Sequence, residues 1–316
     1  MHESPRSPVA SPSRWQIATA MGAVYVIWGS TYLAIRIGIE TLPPFLMAGT
    51  RFLVAGAALY AWTRWRGVPK PERPHWRSAI IIGGLLLLGG NGGVCWAEQR
   101  VPSGLTALMI GTTPLWMLLL DWLWHGAARP SMRTVFGLAC GFAGIGLLVS
   151  PGQFAGGNFV DPVGATVLIF ATLTWAAGSL YSRRAPLPRA PLLATAMEMI
   201  CGGTLLLATS AITGEWTRLG QTHISLRSVV ALGYLIVFGA LVAFTAYVWL
   251  LRMTTTARVS TYAYVNPLIA VFLGWALAGE QITLRTILAA VAIIVAVVII
   301  ISHPAAEPEQ APCEPA

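Results

Sequence analysis

Charge is scarce in this chain. Asp, Glu, Lys and Arg make up 10% of its 316 residues, where a soluble domain carries about 25%. With 56% hydrophobic residues, no water-soluble globule can hide so much apolar surface. Cysteine is also sparse and is spaced for no chemistry. Cys95, Cys140 and Cys201 lie inside apolar runs and Cys313 near the C-terminal end, with no CxxC or metal spacing, so neither a disulfide nor a metal site is expected. The five histidines, at 2, 75, 125, 223 and 303, fall in loops, tails or the ends of apolar runs. A membrane-embedded enzyme acting on lipid would need nucleophile, base or metal ligands converging at one depth, and these positions do not converge. No Walker motif is present. The GGNGGV stretch around Asn91 follows no strand and precedes no Lys-Ser or Lys-Thr, so it is not a phosphate cradle. No cofactor is expected.

What is abundant is long apolar sequence. Ten stretches read as spans: 15–37, 44–64, 78–98, 104–125, 133–150, 161–182, 191–212, 226–250, 258–279 and 283–302. Most approach or exceed the roughly 20 residues that cross a hydrocarbon core of about 30 Å. They must be helices, because lipid cannot satisfy free backbone groups and the runs lack the alternation of barrel strands. The expected fold is therefore an all-α integral membrane protein. Residues 1–14, rich in Ser and Pro, and 303–316, rich in Pro and Glu, read as disordered tails. A cleaved signal peptide is not expected, since the first apolar run starts near Trp15, is long, and is followed by many more. No loop exceeds about 15 residues, which leaves no room for a soluble catalytic or output domain.

The net charge of +8 invites a nucleic-acid reading, but its placement speaks for topology. With the N-terminus in the cytoplasm, the inner loops and ends hold Arg6, Arg14, Arg64, Arg66, Lys70, Arg73, Arg77, Arg129, Arg133, Arg183, Arg184, Arg189, Arg252 and Arg258. The outer loops hold only Arg100, Arg218, Arg227 and Arg285. Fourteen against four is the asymmetry of an N-in, C-in protein of the inner cell membrane. The lipid bilayer, not nucleic acid, is its partner.

The second half repeats the first. Adding 147 takes Trp28 to Trp175, Arg36 to Arg183, Gly56 to Gly203 and Leu59 to Leu206; adding 153 takes Trp96 to Trp249, Pro114 to Pro267, Leu115 to Leu268 and Gly126 to Gly279. Five spans per repeat, 15–150 and 161–302, is an odd number, so the halves are expected to be inverted. Gly137 and Gly141 form a GxxxG whose favoured reading is packing within the chain, with a homodimer as the alternative.

The runs VYVIWGSTYLAIRIGIETLPPFLMAGTRFLVAG, GNGGVCWAEQRVPSGLTALMIGTTPLW and STYAYVNPLIAVFLGWALAGE resemble the EamA family of the drug/metabolite transporter superfamily, in its exporter-like branch. The resemblance spans residues 15–302. It implies ten helices in two inverted five-helix repeats. It also implies a central cavity bordered by spans 1, 3, 4, 6, 8 and 9 and opened alternately to each side, with spans 5 and 10 peripheral. Small metabolites or amino acids, usually exported, are the implied cargo; nucleotide sugars and drugs are carried elsewhere in the superfamily.

Polar groups at membrane depth mark the expected site, since they are costly there and usually face a cavity or a partner. Arg51 and Glu198 occupy equivalent repeat positions with opposite charge, but their spans start on opposite faces, so a depth offset of roughly 10 Å disfavours a direct pair. Glu98 stands where the third span meets the outer surface, either as a gate or protonatable group or as an interfacial carboxylate beside Arg100. Asp121 is expected to hydrogen-bond His125, one turn away. Pro114 and Pro267 fall near the midplane and each denies a hydrogen bond to the carbonyl four residues earlier, at Ile110 and Ala263. Thr112 and Thr113 flank the first, and Tyr262, Tyr264 and Asn266 the second. Trp28, Ser30 and Tyr32 recur as Trp175, Ser179 and Tyr181. These residues, with Asn91 between its glycines, are the expected lining of a small-molecule cavity.

Overall fold

The structure is a computed structural model that describes residues 13–125, 132–149, 161–219, 223–253, 259 and 261–302. Both expected tails lie outside these residues, apart from Ser13 and Arg14. Those two do not belong to a tail: Ser13 and Gln16 form a reciprocal capping box that starts the first helix at Arg14, satisfying two backbone donors the helix start leaves open.

All regular structure among the described residues is helical. In the first half run α1 (Arg14–Gly38), α2 (Pro44–Trp65), α3 (Arg73–Ile82), a π-helical segment π1 (Gly83–Gly92), α4 (Gly93–Ala97), α5 (Ser103–Ile110), α6 (Thr113–His125) and α7 (Met132–Val149). The second half holds α8 (Pro162–Ser182), α9 (Pro191–Ile212), α10 (Glu215–Leu219), α11 (Leu226–Tyr234), π2 (Leu235–Val242), α12 (Ala243–Met253), α13 (Tyr262–Ala278) and α14 (Leu284–Ser302). Proline opens α2, α8 and α9, where its missing N–H costs nothing and its fixed φ suits a first turn.

Seven helical runs are long and apolar enough to cross a membrane: Arg14–Gly38, Pro44–Trp65, Arg73–Ala97, Ser103–Trp124, Pro162–Ser182, Pro191–Ile212 and Leu226–Leu250. Three shorter apolar helices, Val135–Leu148, Tyr262–Ala278 and Leu284–Ile299, fall where the fifth, ninth and tenth spans are expected. Large apolar side chains such as Phe136, Phe170, Phe272 and Trp275 point outward at more than half exposure, a surface suited to lipid rather than water.

The centre of the molecule is the crossing of α2 with α9. Apolar side chains gain little from meeting one another in lipid, so close approach of backbones through small residues must hold such a crossing. A Cβ on Gly56 would lie 2.9 Å from Ile200 N and 3.0 Å from Ala196 O; one on Gly203 would lie 2.7 Å from Leu53 N and 3.1 Å from Gly49 O. Positions 49, 53 and 56 meet 203, 200 and 196, each the 147-shifted copy of the other set. The contacts run antiparallel. A second antiparallel pair, α7 with α14, packs through Gly144 against Ile293 and Ala289. Gly141 of the GxxxG sits on Leu115 and Ala296, contacts within this chain.

The glycine-rich stretch around Asn91 does not unwind. It widens into π1, and π2 occupies the matching place in the second half although LIVFGALV holds a single glycine. The fourth span, expected as one kinked helix, is instead interrupted: α5 ends at Ile110, Gly111 and Thr112 form a turn, and Pro114 is the second residue of α6. Pro267 stays inside continuous α13, early in the helix rather than midway. The two prolines are therefore related by sequence but not by geometry. In the first case the Gly111 turn lets the chain restart, whereas α13 has no glycine beside its proline.

Candidate substrate pathway

Trp28 is the hub of an aromatic group. Its ring meets Phe244 at 5.4 Å, Tyr247 at 5.1 Å and Tyr262 at 5.2 Å between centroids, and Tyr247 meets Tyr262 edge-on at 5.8 Å. Edge-to-face rings at such distances attract through their quadrupoles. The indole N–H donates to Gly239 O of π2 at 3.3 Å. Trp175 stands 147 residues on and packs against π1: a Cβ on Gly90 would lie 2.8 Å from its ring. Gly90 and Gly239 are themselves 149 residues apart, so each half's first-span tryptophan rests on the other half's π segment. Ser30 turns away to Tyr234, hydroxyl to hydroxyl at 2.6 Å, and Ser179 bonds back to Trp175 O at 2.8 Å. Neither hydroxyl joins the aromatic group. Tyr32, one turn beyond Trp28 on the same face of α1, is half-buried.

The two proline regions meet. A Cβ on Gly111 would lie 2.9 Å from the Pro267 ring. The Thr113 hydroxyl donates to Ile110 O at 2.6 Å, which gives the carbonyl freed by Pro114 a partner inside the chain. Asn266, with its amide set by hydrogen bonding, donates to Tyr25 O at 3.2 Å and Tyr262 O at 3.3 Å, tying α13 to α1. Both polar groups expected to face a ligand thus serve backbone carbonyls near the two prolines. Tyr264 and Asn91 are half-buried.

At one end of the molecule, the Glu98 end, the two halves close on each other. Glu98 is fully buried, with both carboxylate oxygens lacking a hydrogen-bond partner among the described residues, while Arg36 donates to its backbone carbonyl. It makes no pair with Arg100, which instead lies 3.5 Å from Asp161. Two other acids, neither singled out as a site residue from the sequence, hold helix starts in the opposite half. Glu215 accepts from Phe45 N at 3.3 Å and Leu46 N at 2.8 Å at the start of α2. Glu280 accepts from Ser103 and Gly104 at the start of α5. Each carboxylate takes up backbone N–H groups that a helix start leaves open. Arg227 with Glu40 at 3.7 Å and Ser228 with Ile37 O at 2.9 Å lie at the same end.

Arg51 is 4% exposed and its Nε and Nη1 have no partner among the described residues. It lies against π2: a Cβ on Gly239 would be 3.2 Å from Thr31 and 3.4 Å from Arg51 Nη2. Gly203 sits across from it, between Gly49 and Leu53, so Glu198, five residues along α9, is offset by about 7.5 Å at 1.5 Å per residue. The two charges stay apart. Asp121 is half-buried, and the side chain of its expected partner His125 lies outside the described residues. No group of three His, Cys, Asp or Glu that could hold a metal occurs among the described residues.

Two related helical halves crossed through glycine, with apolar outward faces, form a multi-pass membrane protein, and the family and relatives it matches make it a transporter rather than an enzyme. The chain belongs to the EamA-like transporter family, which matches residues 15–150 and again 162–302. It is 42% identical to the uncharacterized inner membrane transporter YedA of Escherichia coli over 89% of each chain. It is 25% identical to the uncharacterized transporter YoaV of Bacillus subtilis, over 86% of this chain and 91% of that one. A protein named probable amino-acid metabolite efflux pump, from Salmonella typhimurium, is 24% identical over 82% of this chain and 86% of its own. A solved crystal structure shares the fold, with a TM-score of 0.58 at 20% identity, covering 91% of this chain and 96% of that one.

Proposed function

We propose that the protein exports small metabolites, amino acids or related compounds, across the inner cell membrane by alternating access. In this reading ten helices form two inverted five-helix repeats with both termini in the cytoplasm. The observation that carries it is the way the fourth and ninth spans meet. α13 packs along α5 at the Glu98 end, while α6, beyond the Gly111 turn, leaves it to pack against α8 and α14. Helices joined at one end, one of them breaking at Gly111 so that its far half parts from the other, have the shape a carrier takes when closed to one side. The antiparallel, 147-shifted contacts of α2 with α9 support the inversion. The efflux pump named among its relatives supports the cargo class.

Trp28, Tyr32, Trp175, Tyr262 and Tyr264 are the proposed aromatic walls, with Arg51 and Glu198 the charged groups nearest the crossing. Comparing metabolites in cells that overproduce or lack the protein is expected to reveal one compound family depleted inside the overproducers. Purified protein in liposomes should then catalyse counterflow of that compound. No counterflow of any compound so found would sink the carrier reading. Flux that persists without a pH gradient, with Glu98→Gln and Glu198→Gln still active, would identify a uniporter; flux that needs the gradient and fails in one of these variants would identify proton coupling.

A further inference from the structure

We propose that Glu280 is the latch of the Glu98-end gate, a positioning residue that holds α5 of the first half to α13 of the second while the carrier is closed at that end. This rests on the alternating-access reading. Gly279 ends α13 in the left-handed conformation, φ +67°, and Glu280 N donates to Gly274 O at 3.0 Å. This glycine cap turns the Glu280 side chain back along the helix it has just left. The carboxylate then passes over Gly274, where a Cβ would collide with it, and reaches the first turn of α5. There Oε1 accepts from Ser103 N and from Ser103 Oγ, each at 2.7 Å, and Oε2 accepts from Gly104 N at 2.9 Å. Two backbone N–H groups and one hydroxyl thus meet a single carboxylate at a helix N-terminus, where backbone donors lack an intrahelical partner.

The latch lies beside the close approach of the fourth and ninth spans at this end, where Gly104 faces Val271 and a Cβ would come within 3.0 Å of its Cα. α5 and α13 therefore cannot part at this end without breaking all three bonds. The device is one-sided. The 153-shifted counterpart of Glu280 is Ala127, next to Gly126 as Glu280 is next to Gly279, so the sequence places no equivalent acid at the opposite gate. Opening the Glu98 end breaks a latch that opening the other end does not, which biases the empty carrier toward the closed arrangement seen here.

The test uses full-length protein in membranes with its own cysteines replaced and one reporter cysteine at a time, read by its reaction rate with a water-soluble maleimide. Thr106→Cys reports on the Glu98 end, because Thr106 is fully buried one turn below Ser103. Ala263→Cys reports on the half of α13 that leaves α6. Glu280→Gln, which sets an amide N–H against a donor, is expected to raise labelling at position 106 about tenfold and to lower it at 263. Gly274→Ala should do the same without changing any charge, and the two together should add nothing to either alone. Ser103→Ala, the mildest variant, removes one bond of three and should shift both reporters less, in the same directions. Unchanged labelling at 106, a rise at both reporters together, or multiplying effects of Glu280→Gln and Gly274→Ala would each overturn the latch. Absent counterflow in the unmodified protein would fail the carrier reading instead, and the reporters would still distinguish a latch from general loosening.

Discussion

The glycines that matter most are those at which two backbones meet. A Cβ at Gly203 would come within 2.7 Å of Leu53 N, a contact that only movement of a whole helix can relieve, whereas nothing lies within 4 Å of a Cβ at Gly22. Gly203→Ala is therefore expected to lower unfolding stability by about 1–3 kcal/mol. Gly22→Ala should leave it unchanged or raise it by about 0.5–1 kcal/mol, since it only removes glycine's chain entropy inside a helix. Thermal unfolding in detergent compares the two, and equal effects would remove the α2–α9 crossing from its central place. Glu215→Ala should cost about 1–3 kcal/mol in the same assay, because it strips the Phe45 and Leu46 N–H groups of their acceptor in a buried setting. The sequence singles out Gly203 through its repeat partner Gly56. It does not single out Glu215, and it sets Glu280 only among the ionisable groups near span ends, because the helix start each acid caps belongs to the other half and is not its neighbour in sequence.

At the scale of the element, what periodicity and proline reveal is where a span is weak, and what they miss is how the weakness is resolved. Pro114 and Pro267 look equivalent in sequence, yet one follows a full break and the other rides in an unbroken helix. The difference lies in Gly111 and in Thr113, whose hydroxyl takes up the freed Ile110 carbonyl. Thr113→Val keeps the shape but leaves that carbonyl unpaired in the membrane, and is expected to lower stability by about 1–3 kcal/mol, while Thr113→Ser keeps the bond and should stay near the parent. If valine and serine behave alike, the bond plays no part in holding the break. The π segments were half legible. Four glycines around Asn91 mark π1 as unusual, but π2 has one glycine and reads as ordinary apolar helix. Its place follows from the repeat, and its role from Trp28 and Trp175, each resting on the other half's segment.

For the whole molecule, the odd number of spans per repeat expected from the sequence and the antiparallel contact between the repeat-equivalent α2 and α9 both support the proposed inversion by independent routes. Residues 147 apart that exchange contacts in reverse order are what a two-fold axis lying across the helices would produce, and in a membrane such an axis is the proposed inversion of topology. Charge then supports one orientation over the other. Lys70 lies in an exposed loop with Arg64, Arg66 and Arg73 close by in sequence, while Gln99 is exposed at the Glu98 end, where basic residues are few. The positive-inside rule leads us to expect the Lys70 loop in the cytoplasm and the Glu98 end outside. A single cysteine at Gln99 should then react with a membrane-impermeant maleimide in intact cells, and one at Lys70 only after the cells are permeabilised. The reverse pattern would place the latch on the cytoplasmic side and overturn the N-in, C-in arrangement proposed from the charge placement.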